Sequence, residues 1–168
     1  MIPNTQIATF AAGCFWGVQE IFSNIDGVVM TTVGYIGGKF KDPTYPDVRT
    51  GKTGHAEVVQ LEFDADKITY SDLLDYFFRL HDPTTLNSQG ADFGSQYRSA
   101  IFYHNDEQKE LAQRYIAKLE KDMVFNKKIV TEVVPVTTFY KAEEYHQDYF
   151  KKKGGHVCHV LKPRFSNH

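Results

Sequence analysis

Read from the amino terminus, the apolar residues change their spacing segment by segment, and the spacing predicts the elements. Gln6 to Ala12 (QIATFAA) is short and mostly apolar, which predicts a strand. Phe15, Val18, Ile21 and Phe22 then recur at helical intervals, which predicts a helix over 15–22. Gly13 and Cys14 are left at a strand-to-helix turn. Val28 to Ile36 is rich in Val and Thr and predicts a second strand. Gly37 to Gly54 holds four glycines and two prolines and predicts a long irregular loop. Glu57 to Phe63 (EVVQLEF) predicts a third strand.

Thr69 has the character of an N-cap, with Asp72 in the capping-box position three residues on. Leu73, Leu74, Phe77 and Phe78 share one face of the helix that follows. Pro83 disfavours helical geometry at Asp82, so this helix is expected to stop near His81. Thr84 to Gln96 predicts a second polar loop, and Arg98 to Tyr103 a strand. Asp106 is expected to cap a long helix striped by Leu111, Tyr115, Leu119 and Met123. Val130 to Val136 predicts a short strand, placed by Pro135 at an edge or at its own end. Glu143 to Phe150 predicts a short helix. The element order implies an α+β fold, a mixed β-sheet with packed helices around a ferredoxin-like, split βαβ core. One domain over 1–168 is expected, with 151–168 an irregular, flexible C-terminal tail.

Charge narrows the function classes. Nineteen Lys and Arg stand against 21 Asp and Glu, a net charge of -2, which gives no pull toward nucleic acid or an anionic membrane. No apolar run approaches the roughly 20 residues that span a bilayer. The first ten residues do not read as a signal peptide, so a cytoplasmic location is expected. Two cysteines, Cys14 and Cys158, are too few for a disulfide scaffold or a four-cysteine zinc site.

Three constellations carry candidate chemistry. Cys14 lies just before the first turn of a helix, where unpaired N–H groups favour a thiolate. Glycines flank the segment Gly13-Cys14-Phe15-Trp16-Gly17, and two large rings beside a nucleophile suit a small apolar group. The alternative is a buried, inert cysteine among core rings. Glu57 opens a strand after the glycine-rich Gly51-Lys52-Thr53-Gly54-His55-Ala56, and near an apolar pocket it would suit a general acid. A solvated glutamate at a strand edge is the alternative. His55 is either a site residue or a structural loop histidine. Asp92, Tyr97 and Tyr45 lie in or beside polar loops, where they either orient a substrate by hydrogen bonds or serve as ordinary turn and surface residues.

The segments GCFWG, DPTY, TGHAE, HDPTTLN and QYRS occur in this order over residues 6 to 160. Together they resemble the peptide methionine sulfoxide reductase A family. The resemblance implies that Cys14 attacks the sulfoxide sulfur, releases methionine and becomes a sulfenic acid. It implies that Phe15 and Trp16 hold the S-methyl group, that Glu57 protonates the sulfoxide oxygen, and that Tyr45 and Tyr97 hydrogen-bond it. Asp92 would hold the substrate backbone or amine, and His55 is counted among the substrate-side residues. The substrate implied is the S epimer of methionine sulfoxide, free or in oxidised proteins. The electrons would come from thioredoxin, with no metal, flavin or nicotinamide, and a monomer is expected. Cys158 would then resolve the sulfenic acid to a disulfide. The chain departs from the family pattern at Val157, where members commonly have an aromatic residue, and at Arg49, where some have a cysteine. It also lacks a further C-terminal cysteine.

Two readings from other classes compete. One is a cysteine hydrolase pairing Cys14 with His55 or His81. The other is a metal-binding tail built from His156, Cys158, His159 and His168.

Overall fold

Alternation along β1 (Thr5–Ala12) sends Ala8, Phe10 and Ala12 to one side of a sheet and Ala11 to the other. The computed structural model describes residues 4–155 and 159–165 of the chain. Cys158, His156, Val157 and His168 lie outside the described residues. After β1 come α1 (Phe15–Ser23), β2 (Val28–Ile36), α2 (Tyr45–Arg49), β3 (Ala56–Asp64) and α3 (Tyr70–Arg79). A small hairpin of β4 (Ser88–Gln89) and β5 (Asp92–Phe93) precedes β6 (Ser99–Tyr103) and α4 (Asp106–Lys121). β7 (Glu132–Pro135), β8 (Tyr140–Lys141) and α5 (Tyr149–Lys153) complete the order.

Six strands form one sheet in the order β7-β6-β1-β3-β2-β8. All neighbours are antiparallel except β6 and β7, so the sheet is mixed. α1 links β1 to β2 across β3, and α3 links β3 to β6 across β1. These two interleaved crossovers are the split βαβ arrangement expected from the pattern. Phe15, Val18 and Phe22 of α1 and Leu73, Leu74, Phe77 and Phe78 of α3 belong to one buried cluster over a single face of the sheet. Phe10 lies at the centre of that layer, stacked on Phe22, Tyr70 and Phe77. Each ring buried there contributes about 2 kcal/mol. The opposite face is thinner. Ala11, Ile36, Ala56, Val58, Ala100 and Phe102 are covered by Val134, Val136 and Phe139.

Several expectations need correction. The 37–54 loop contains α2, started by a Thr44–Asp47 capping box with Pro46 in the first turn. The N-cap of α4 is Asn105, not Asp106: its side chain accepts from the Gln108 N–H at 2.9 Å. Met123 leaves the α4 stripe, because it lies beyond the helix with φ +53° and is exposed. The helix expected over 143–150 is broken. Residues 144–146 make a single 3-10 turn, Asp148 takes φ +52°, and α5 restarts at Tyr149 and runs to Lys153, inside the expected tail. The break has a cause: the Asp148 N–H donates to Gln19 Oε1 at 2.8 Å, and the Gln147 amide pairs with both Val33 N–H and Val33 carbonyl. Tertiary bonds replace helical ones there. Among the described residues, no helix is long and apolar enough to cross a membrane.

Candidate active site

Cys14 is the N-cap residue of α1, half-buried where β1 ends. The turn requires glycine before it. Gly13 has φ +93°, and a Cβ there would stand 2.8 Å from Gln89 Cγ. Glu57 reaches the same helix end from β3. Its Oε1 accepts from the Phe15 N–H at 3.2 Å, and the residue is 1% exposed. Strand register explains the meeting. Glu57 lies opposite Tyr35 of β2 and shares its strand face with Val59, Leu61 and Phe63, which pack under the helices. A carboxyl and a thiol-bearing residue thus converge on one helix N-terminus.

Aromatic rings wall the site. Phe15 stacks toward Tyr45, with centroids 6.5 Å apart, and tilts against Tyr35 at 5.7 Å. Trp16 lies flat on Tyr149, centroids 3.8 Å apart and planes 5° apart. Burial first, then the Glu57 carboxyl and the Cys14 thiol, push the Tyr45 phenol up to about 12. The Tyr97 phenol is raised as well, by burial first and then by Glu57, Tyr45, Asp92 and Cys14. Both phenols are therefore protonated donors at neutral pH. Those mutual fields also place Tyr45, Tyr97, Asp92, Glu57 and Cys14 in one neighbourhood.

The structure does not bring every candidate there. His55 is spent inside its own loop. Its Nδ1 accepts from the Gly38 N–H at 3.0 Å and its Nε2 donates to the Phe40 carbonyl at 2.6 Å. His81 is equally engaged, with Nδ1 on the Phe77 carbonyl and Nε2 on Ser99 Oγ, each at 2.7 Å. Neither histidine is therefore set as a base for Cys14. For the metal-binding tail, His159 is the one member within the described residues, and its Nε2 points at the Ala12 carbonyl. Among the described residues, no three His, Cys, Asp or Glu side chains converge as a metal site would require.

Sequence reasoning missed the segment 143–149. Trp16 Nε1 donates to His146 Nδ1 at 2.8 Å, so the imidazole proton sits on Nε2. His146 is fully buried and packs 4.3 Å from the Tyr45 ring centroid and 5.2 Å from Phe15. Its pKa is lowered by burial, against the opposing Glu143 carboxylate. Glu143 accepts from the Tyr35 hydroxyl at 2.8 Å and from the Tyr45 N–H at 2.9 Å. Burial alone would raise the Glu143 carboxyl, but these bonds outweigh it and hold the group below its usual range. The one signal available in sequence was the three-residue spacing of Glu143, His146 and Tyr149.

A family model described as peptide methionine sulfoxide reductase matches residues 6–167. The chain belongs to the peptide methionine sulfoxide reductase family. It is 56% identical to the protein named peptide methionine sulfoxide reductase MsrA of Methanothermobacter thermautotrophicus, over 92% of each chain. It is 57% identical to the protein of that name in Pasteurella multocida, over 96% of this chain and 92% of the relative. Among solved structures, reduced Mxr1 of Saccharomyces cerevisiae superposes with a TM-score of 0.89 at 37% identity, covering 95% of this chain and 93% of Mxr1. Mxr1 in complex with Trx2 superposes with a TM-score of 0.65 at 26% identity, over 95% of this chain and 91% of Mxr1.

Proposed function

We propose that this chain reduces the S epimer of methionine sulfoxide, free or within oxidised proteins, to methionine. The carrying observation is that Cys14 and the buried Glu57 carboxyl share one helix N-terminus inside an aromatic wall. Family membership supports the same chemistry.

A sulfoxide sulfur is a poor electrophile until its oxygen is protonated or strongly hydrogen-bonded. Glu57 is the acid in this scheme. Its burial among Phe15 and Tyr35 makes the charged form costly and favours a carboxyl that carries a proton. Tyr45 and Tyr97 donate to the same oxygen. Phe15 and Trp16 receive the methyl group, and Asp92 holds the backbone or amine of the substrate. The Cys14 thiolate attacks sulfur, the S–O bond of the substrate breaks, and the oxygen stays on Cys14 as a sulfenic acid. Cys158 then displaces that oxygen as water and leaves a disulfide. Both electrons come from sulfur, so the scheme calls on no metal, flavin or nicotinamide.

The solved Mxr1–Trx2 complex supports a thioredoxin as the reductant of that disulfide. A reducing cytoplasm and a monomeric chain fit this cycle.

The two sulfoxide epimers offered separately, with dithiothreitol as reductant, test the reading. Methionine should form from the S epimer alone. Reduction of the R epimer alone, or of neither, overturns the proposal.

A further inference from the structure

The residues after the second cysteine, 159–165, have no regular secondary structure, yet they are pinned at three places. The buried His159 ring donates from Nε2 to the Ala12 carbonyl at 2.6 Å, two residues before Cys14. A Cβ on Gly13 would stand 3.3 Å from the same nitrogen. Next along the chain, Lys162 and Arg79 hold each other twice. The Lys162 N–H donates to the Arg79 carbonyl at 2.9 Å, and Arg79 Nε donates to the Lys162 carbonyl at 2.9 Å. Finally, the Phe165 ring meets Phe125 edge-on at 5.7 Å.

Arg79 is itself locked. Its Nη1 meets Asp75 Oδ2 at 2.8 Å, and Asp75 Oδ1 accepts from the Tyr115 hydroxyl at 2.9 Å. The guanidinium fork serves two partners at once, which a lysine ammonium on a flexible stem does poorly. This Tyr115–Asp75–Arg79 relay belongs to α3 and α4, and the sulfoxide chemistry makes no use of it. On the other side of the second cysteine, α5 is fixed by Tyr149 on Trp16. The chain is therefore held at Tyr149 and again at His159. A reactive group carried between two nearby anchors meets its partner at a far higher local concentration than one on a free tail.

Resting on the reading of Cys14 and Cys158 given above, we propose that Arg79 is a positioning residue for disulfide formation. By clamping Lys162 it keeps His159, the residue that follows Cys158 in sequence, seated on Ala12, two residues before Cys14. In the step it serves, the Cys158 sulfur attacks the sulfenic sulfur of Cys14. The S–S bond forms, the S–O bond breaks, and the oxygen leaves as water with the thiol proton. The Cys158 sulfur is oxidised and the Cys14 sulfur reduced, with no outside reagent.

Single-turnover kinetics on Arg79→Lys, Asp75→Asn and His159→Ala separate the two steps. Methionine release reports attack on the sulfoxide, and trapping of Cys14 sulfenic acid by a dimedone-type nucleophile reports disulfide closure. Methionine release should stay within about twofold of the parent, while closure slows about tenfold or more and sulfenic acid accumulates. Parental closure rates in Arg79→Lys and His159→Ala overturn the clamp. So does a parallel fall in methionine release, which marks a structural role only. A Cys158→Ser chain that still cycles with thioredoxin overturns the reading of Cys158, and the clamp with it.

Discussion

The two halves of the candidate site are built in different ways. Cys14 and Glu57 sit on the ends of β1, α1 and β3, where strand register and the helix start fix them. Tyr45, Asp92, Tyr97 and His146 sit on short helices, a small hairpin and 3-10 turns. They are held by bonds that join residues far apart in sequence, such as Trp16 to His146 and Tyr45 to Glu143. The loop bearing Asp92 and Tyr97 shows the method. Its two ends are tied by His81 to Ser99, and its base is closed by the Gln89 amide on both backbone groups of Asp82. The sheet-borne half should therefore set the chemistry, and the loop-borne half should set how well a substrate is held.

The largest effect belongs to the sheet-borne half. Glu57→Gln keeps the shape and removes the acid, so first-turnover methionine release should fall by about 10²–10⁴. Rapid-quench assays on the S epimer read this directly, and a loss smaller than about tenfold would show that another group supplies the proton.

Next comes the acid sensitivity of the loop's tie. Burial foremost lowers the His81 pKa to about 3, from 6.5 for an ordinary imidazole. The unfolded chain therefore binds a proton between these values that the folded chain refuses. The contribution is fully present above pH 6.5 and is lost as pH falls toward 3. At about 1.4 kcal/mol per unit, several kcal/mol are at stake across that window. Urea unfolding of the parent and of His81→Gln at pH 7, 6, 5 and 4 should give a flatter pH dependence in the variant. Equal slopes would mean that His81 takes no part.

The smallest effect belongs to the bond between the halves. His146→Phe keeps a ring among Phe15, Trp16 and Tyr45 but removes the acceptor for Trp16. One net hydrogen bond, about 0.5–1.5 kcal/mol, should raise KM for the sulfoxide a few-fold to about tenfold with kcat little changed. A fall in kcat at constant KM would move His146 from holding the substrate to the chemistry itself.

The same division marks what could be read from sequence. Strands over 28–36 and 57–63, and the helix after Thr69, follow from local spacing, because each buries one face against the sheet. The places of Cys14 at a strand-to-helix turn and of Glu57 at a strand start were legible, since both are local features. α2 was missed although its signal is also local, a Thr44–Asp47 capping box hidden among glycines and prolines. His146 had no such signal. Its partner Trp16 lies 130 residues away, and a three-residue spacing alone does not say what the ring will touch. His55 erred the other way. Its place in Thr53-Gly54-His55-Ala56-Glu57 made it look like part of the site, but the backbone of its own loop claims both ring nitrogens. The tail was harder still, since the Arg79–Lys162 clamp is made largely through backbone groups that no residue pattern marks.

Trp16 is the chain's single tryptophan, bonded to His146 and stacked on Tyr149 two residues from Cys14. Indole emission from this protein is thus emission from one place. Light absorbed at the red edge of the spectrum, where tyrosine is dark, interrogates the ring next to Cys14 in the site and nothing else. The molecule carries its own lamp at the point where the proposed cycle changes its oxidation state.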